Sequence, residues 1–353
     1  MVTKILLVFD VVAAIDKIFG NKLKLGEEFD KGIEIFGSIV LAMVGMMILA
    51  PAIAKALENI TWIMPDFIDF SIIPASILAN DAGAAVLARD LCTDKLIGEF
   101  NGLVVSSMMG CTIAFLIPYS LQMTTKENHK EVLLGILCGL VTIPVGCIIS
   151  GLICGINFFT LIINQIPLII FALIIVFGLV KFEKVTLKVI AAFGWIIRAV
   201  LTFGVMVGII EFMTGYKVVA HADTLENAIN VVVSIVGIMV CALPLLYILK
   251  KIFARPLKFL GNKLGINETS AFGFITTLGT SLTTFEMADK MDKRGLVLNS
   301  AFAVSASFAL IDHFAFTMAF NPDFVVPVIV GKVISGISAV VVACVLINKK
   351  GIE

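Results

Sequence analysis

Charge is what this chain has least of. Only 15% of its 353 residues are Asp, Glu, Lys or Arg, against about 25% in soluble domains. No polar stretch is long enough to fold as a soluble domain of its own. Positive and negative charges cancel, so no basic surface offers itself to nucleic acid. The seven cysteines, at 92, 111, 138, 147, 154, 241 and 344, form no C-x-x-C pair and fall mostly in apolar runs. They read as small hydrophobes, not as metal ligands or disulfides. Three scattered histidines make no metal site, and no residue pattern calls for a cofactor. No G-x-x-x-x-G-K-[ST] occurs, so the chain is not itself an ATP-driven pump. The N-terminal run does not read as a signal peptide, because Asp10 and Asp16 interrupt it and no small-residue cleavage site follows.

What the chain has in abundance is apolar length. Hydrophobic residues make up 59%, and several runs exceed the roughly 18 residues that mark a membrane span. The expectation is an all-α polytopic membrane protein. Nine spans are predicted at 3–19, 33–57, 96–121, 131–155, 158–180, 186–212, 227–250, 296–319 and 326–347. Pro144 and Pro244 predict kinks inside two of them. Gly135/Gly139 and Gly151/Gly155 stand at the small-x-x-x-small spacing that brings membrane helices close. Two further segments, about 66–90 and 268–289, are apolar but broken in the middle, at Asn80-Asp81-Ala82-Gly83 and at TTLGTSLTT (276–284).

Each broken segment could cross the bilayer or turn back within it, and basic residues decide between the two. Lys and Arg collect on the cytoplasmic side. If both segments are re-entrant hairpins, the loops divide 18 basic residues to five; if both cross, the division is 11 to 12. The bias selects hairpins, with the N-terminus outside and the C-terminus inside. Two units of helix–helix–hairpin–helix–helix follow, 1–157 and 181–353, joined by a single linker helix at 158–180. Four spans plus one linker bring the second unit in upside down, the inverted repeat common among secondary transporters. Segments 87–115 and 287–315 align without gaps at an offset of 200.

Polar groups inside spans are costly and normally face a cavity or a partner. Asp81 and Asn80 sit at the expected tip of the first hairpin, where unwound backbone offers free N–H and C=O groups. An acid, an amide and carbonyls suit a small cation that can hydrogen-bond. Asp81 capping the second half of its hairpin is the structural alternative, compatible with the first. The facing tip offers Thr280, Ser281 and Thr284, hydroxyls suited to an alcohol, and then Glu286. In ASFALIDHFAF (306–316), Asp312 and His313 lie deep in a span as candidates for substrate contact or a proton relay. Gly83, Glu99, Asn101, Ser107, Asn299 and Ser307 are supporting candidates on the hairpin and its neighbours. Arg198, deep in a span, is expected to pair with a buried carboxylate, with Asp10 and Asp16 as candidates.

Stretches spread from about 33 to 340 resemble the bacterial ethanolamine-utilisation permease family. They are VLAMVGMMILAPAIA (40–54), ILANDAGAAVLARDL (77–91), SSMMGCTIAFLIP (106–118), GLVTIPVGC (139–147), MDKRGLVLNSAFAVSASFALIDHFAF (291–316) and VGKVISGISAV (330–340). The resemblance implies a multi-pass inner-membrane transporter or facilitator for ethanolamine or a similar small amino alcohol, not an enzyme. It would serve ethanolamine catabolism and admit the protonated form at acidic pH. The family's L-A-x-D-x-G pattern falls on Leu78–Gly83, and its D-H pair on Asp312 and His313. The chain carries Asn80 where the resemblance implies Cys, and Gly279–Thr284 in place of an Asn-Asn-x-Pro-like tip. The competing reading is an ion- or proton-coupled symporter of another small polar solute, with Asp312 and His313 as coupling groups. The lipid bilayer is a partner in either case, and a homo-oligomer stays open.

Overall fold

The computed structural model describes residues 2–34, 36–65 and 67–350. These residues are all-helical, with no strand among them. Among the described residues, five helices are long and apolar enough to cross a membrane: Lys95–Met123, His129–Ile153, Glu183–Thr214, Leu225–Ile248 and Pro322–Lys349. A sixth candidate is the pair Phe158–Asn164 and Ile166–Lys181, bent by 42° where Pro167 starts the second helix. Nine unbroken spans were expected, so the architecture is all-helical and membrane-spanning but more interrupted than hydropathy implied. The helix begun at Leu225 runs on to Leu264 through both Pro244 and Pro256. As Pro144 predicts, the chain turns at Val141–Thr142 and resumes as Ile143–Ile153.

One predicted span is corrected outright. The run 296–319 is not one helix: Lys293–Ala306 ends, residues 307–311 unwind, and Asp312–Phe320 begins again. Phe308 stands in the left-handed region at φ 62°, a conformation that side chains rarely adopt. Its cause is tertiary. The freed Phe308 N–H donates to the Thr277 carbonyl at 3.1 Å, and Leu310 N–H to the Leu278 carbonyl at 2.8 Å. A helix break inside a membrane protein persists where neighbours satisfy the released backbone.

Both broken segments fold back on themselves. Residues 72–91 form two short helices, Ile72–Ile77 and Ala85–Leu91, around a kink at 78–84. Asp69 joins their two ends: its carboxylate accepts from Ser71 N–H at one foot, and from Thr93 N–H, the Thr93 hydroxyl and Asp94 N–H at the other. Residues 268–286 repeat the plan as Glu268–Gly279 and Ser281–Glu286 around Thr280. Here Asp292 joins the ends, accepting from Asn267 N–H and the Ser270 hydroxyl while capping the next helix through Gly295 N–H.

The correspondence extends into the following helices. Asp94 caps Lys95–Phe100 as Asp292 caps Lys293–Ala306. Seven residues further, Asn101 reaches back to the Ser71 hydroxyl at 2.9 Å and Asn299 to the Ser270 carbonyl at 2.8 Å. Each foot is thus held by an acid and an amide; the amides stand at matching positions, whereas the acid precedes the first hairpin at Asp69 and follows the second at Asp292.

Packing around this frame is tight. A Cβ at Gly135 or Gly139 would strike the backbone or side chains of Val297, Ser300 and Val304, so these glycines seat Lys293–Ala306 against His129–Leu140. Arg198 departs from expectation. It lies exposed near the middle of Glu183–Thr214, beside Trp195, Thr202 and Phe203, with no ion-pair partner among the described residues. Asp16 is already engaged, accepting from Leu23, Leu25 and Gly26 N–H, and Asp10 keeps one buried carboxylate oxygen without a partner. The face of the helix that carries Arg198 turns outward, so neither acid reaches it.

Candidate functional site

Three departures from helix meet in the interior. Ala79 and Ala82 of the first hairpin tip pack with Cys111, Phe115 and Phe308, which puts the tip against the unwound 307–311 segment. The second tip borders the same segment through the two backbone bonds already described, and through Gly279, whose position abuts Ile311. The Lys95–Met123 helix closes the group with wide π turns over Asn101–Gly110 and Thr112–Leu116, a distortion that recurs at functional sites.

Asp81 in the first tip and Asp312 in the first turn of its helix are partly buried and within electrostatic reach of each other. The Asp81 carboxylate lies near the backbone N–H groups at 81 and 82, but Ala84, not Asp81, stands at the N-cap of Ala85–Leu91, and no side chain caps that helix. Asn80 beside Asp81 is fully buried, and neither its amide nitrogen nor its oxygen has a partner among the described residues. The Ser281 hydroxyl and His313 Nδ1 are buried without partners in the same way. Most buried polar atoms in folded proteins are bonded, so this group retains unused donors and acceptors around a pair of acids. The His313 ring packs on Phe308, centroids 5.4 Å apart.

The remaining candidates divide clearly. Thr280 caps Ser281–Glu286, its hydroxyl accepting from Leu282 N–H at 3.2 Å. Thr284 closes the second hairpin through Thr276 and Thr277 hydroxyls at 2.7 and 2.9 Å. Glu286 is exposed and in electrostatic reach of Tyr119; no interaction joins it to Asp81 or Asp312 among the described residues. Glu99 accepts from Asn321 Nδ2 at 2.8 Å. Ser107 and Ser307 hydroxyls bond their own helix, to Val104 and Ala303 carbonyls. Asn101 and Asn299 hold the hairpin feet.

Gly83 has a specific reason to be glycine. Its φ is 101°, and a Cβ there would overlap the Met46 side chain. Gly83→Ala is expected to lower stability by about 1–3 kcal/mol through strain and overpacking. Thermal melting of the purified protein checks this, and an unchanged melting temperature would refute the strain.

One participant escaped the sequence reading. Lys332, in the final helix, is fully buried, and its Nζ donates to the Ser107 carbonyl at 2.5 Å. It lies in electrostatic reach of Asp81, Cys111, Cys147 and His313. Its only sequence signal was a lysine too far inside an apolar run to reach the surface.

Comparison with known proteins identifies the family. The family model described as "Ethanolamine utilisation protein, EutH" matches residues 1–346. A probable ethanolamine permease EutH of Listeria monocytogenes is 38% identical over 349 residues, covering 98% of this chain and 93% of that one. The Escherichia coli protein of the same name is 33% identical over 388 residues, covering 98% and 95%. An uncharacterized protein of Bacillus subtilis, YxeR, is 32% identical over 343 residues. No solved structure matches. The chain is an integral membrane protein, and it belongs to the EutH family of ethanolamine utilisation proteins.

Proposed function

We propose that this protein carries ethanolamine across the bacterial cytoplasmic membrane, as a transporter and not an enzyme, in its protonated form. The observation that carries the reading is the pairing of Asp81 with Asp312 where the first hairpin tip meets the unwound 307–311 segment. An ammonium alcohol of two carbons needs an anion for one end and a donor–acceptor pair for the other. The acids supply the first; the unpartnered Asn80 amide and Ser281 hydroxyl supply the second. The two hairpins are re-entrant and the halves are inverted copies, with the N-terminus outside. The matching caps Asp94 and Asp292 and the matching Asn101 and Asn299 bonds support that layout. Movement of one half against the other then exposes the site to each side in turn.

The test is uptake of labelled ethanolamine into proteoliposomes at acidic and alkaline external pH. Saturable uptake at acidic pH, where nearly all substrate is ammonium, is expected. Uptake no greater than that of empty vesicles at either pH, with or without an ion gradient, would overturn the assignment. The free His313 Nδ1 favours one variation, coupling to protons. An imposed proton gradient that accelerates uptake well beyond the effect of pH alone would select it.

A further inference from the structure

The two hairpin tips are seated in the same way. At the first, Gly83 is covered by Met46, whose side chain a Cβ at 83 would overlap. At the second, Gly279 is covered by Leu246, whose Cδ2 a Cβ at 279 would strike. Met46 and Leu246 are almost wholly buried, at 2% and 4% exposure. Met46 also packs with Leu78 and Ala84, on either side of the first tip. The surroundings of the two seats correspond as well. Met46 and Leu246 stand 200 residues apart, the offset at which 87–115 align with 287–315. Met46 follows the π turn Val40–Val44 by two residues, and Leu246 follows Pro244 by two. A π turn and a proline both interrupt the hydrogen-bond ladder of a helix and let it bend. On the N-terminal side of each seat the helix is held through a glycine. Gly45 lies against the backbone of Leu201 and Gly204 in Glu183–Thr214, and Gly32 against the backbone of Val240. Each seat is therefore fixed to the helices around the hairpins.

We propose that Met46 and Leu246 are the paired gates of transport. The first tip leaves Met46 to open the site to one side of the membrane; the second leaves Leu246 to open it to the other. This rests on the reading of the protein as a carrier built of inverted halves, and adds the contacts that govern its opening. The tips carry Asn80, Asp81 and Ser281, so a tip that moves takes with it a group proposed to hold the substrate. Inversion makes one kind of contact serve opposite sides. Truncating a seat removes contacts from the closed form of its own tip. The population then shifts toward the form open on that side. Met46 and Leu246 are positioning residues, and transport does not require them to touch the substrate.

The experiment measures half-saturation of labelled ethanolamine uptake in right-side-out and in inside-out membrane vesicles. Apparent affinity from either side scales with the fraction of carrier open to that side, and wild type gives the reference ratio of the two constants. Met46→Ala is expected to move that ratio about tenfold in one direction and Leu246→Ala about tenfold in the other, a fraction of what truncating a buried side chain costs. The double variant is expected to return near the wild-type ratio, which a loss of stability alone would not do. Met46→Leu and Leu246→Met, apolar swaps of similar volume, are expected to stay near wild type. Alanine variants that transport with unshifted ratios, or with ratios shifted in the same sense, overturn the proposal. Should either fail to assemble, Met46→Val and Leu246→Val are measured in its place. Smaller shifts, still opposed, are expected of them, and their absence overturns the proposal too. Wild type without saturable uptake from both sides overturns the carrier reading, and the gates with it.

Discussion

Asp81→Asn is expected to abolish saturable ethanolamine uptake, lowering transport per protein by about 100-fold or more, the range seen when one member of a buried charged contact is removed. Asparagine keeps nearly the same shape. No side chain caps the helix that follows, Ala85–Leu91, so the substitution removes no cap. What disappears is charge. An incoming ammonium then loses the carboxylate proposed to answer it. Uptake should be measured on monodisperse protein and normalised to its amount, because the buried Lys332 also loses the carboxylate within its reach. A purified Asp81→Asn protein that transports like wild type would remove Asp81 from the substrate site.

How much of this was legible in the sequence depended on whether a break was local or tertiary. The Asn80–Gly83 kink announced itself, since a polar pair followed by glycine cannot continue an apolar helix unnoticed, and Gly83 does adopt a positive φ. The second hairpin declared its turn through TTLGTSLTT, and the chain leaves helix at Thr280 within it. The third break left no such mark. Ser307–Ile311 contains neither glycine nor proline and continues an apolar run; it unwinds because Thr277 and Leu278 offer carbonyls to its backbone. A pattern with period 3.6 cannot register a partner some 30 residues away. The break nevertheless explains Asp312. It heads a helix at the centre of the fold, where a position deep inside a continuous span was expected.

The same limit hid Lys332 and misdirected Arg198. Hydropathy records that each basic residue lies within a span, but not which way it points, and long basic side chains can often reach the surface. Lys332 is wholly enclosed and near the acids, whereas Arg198 is exposed on an outward face. Among the hydroxyls of the second tip, sequence could not separate those free for a substrate from those serving the hairpin. Thr280 and Thr284 are engaged in capping and closure, and Ser281 is not.

Asp69→Ala is expected to cause the largest loss of stability, because one carboxylate there answers four donors. Its Oδ1 accepts from Ser71 N–H at 2.9 Å. Its Oδ2 accepts from Thr93 N–H and the Thr93 hydroxyl, both at 2.9 Å, and from Asp94 N–H at 3.2 Å. Two of them, the Ser71 and Asp94 N–H groups, stand at the N-caps of short helices, where backbone donors are left over. The site is also tied outward: Asp69 N–H donates to Asn164, Asn164 to Asn101, and Asn101 to Ser71. Hydrogen bonds to a charged group contribute about 1.5–3 kcal/mol each, and water at the hairpin foot recovers part of that. A net loss of about 3–5 kcal/mol follows, which lowers the melting temperature by roughly 10 °C for a chain of this size. Uptake should fall with it, since the hairpin that carries Asp81 is no longer closed at its base. Asp69→Asn, which keeps one acceptor oxygen, should lose less. An Asp69→Ala protein that melts within about 2 °C of wild type would show that packing alone holds the hairpin. The clasp would then be a consequence of the fold, and Asp292, which makes the corresponding bonds at the second hairpin, would be equally dispensable.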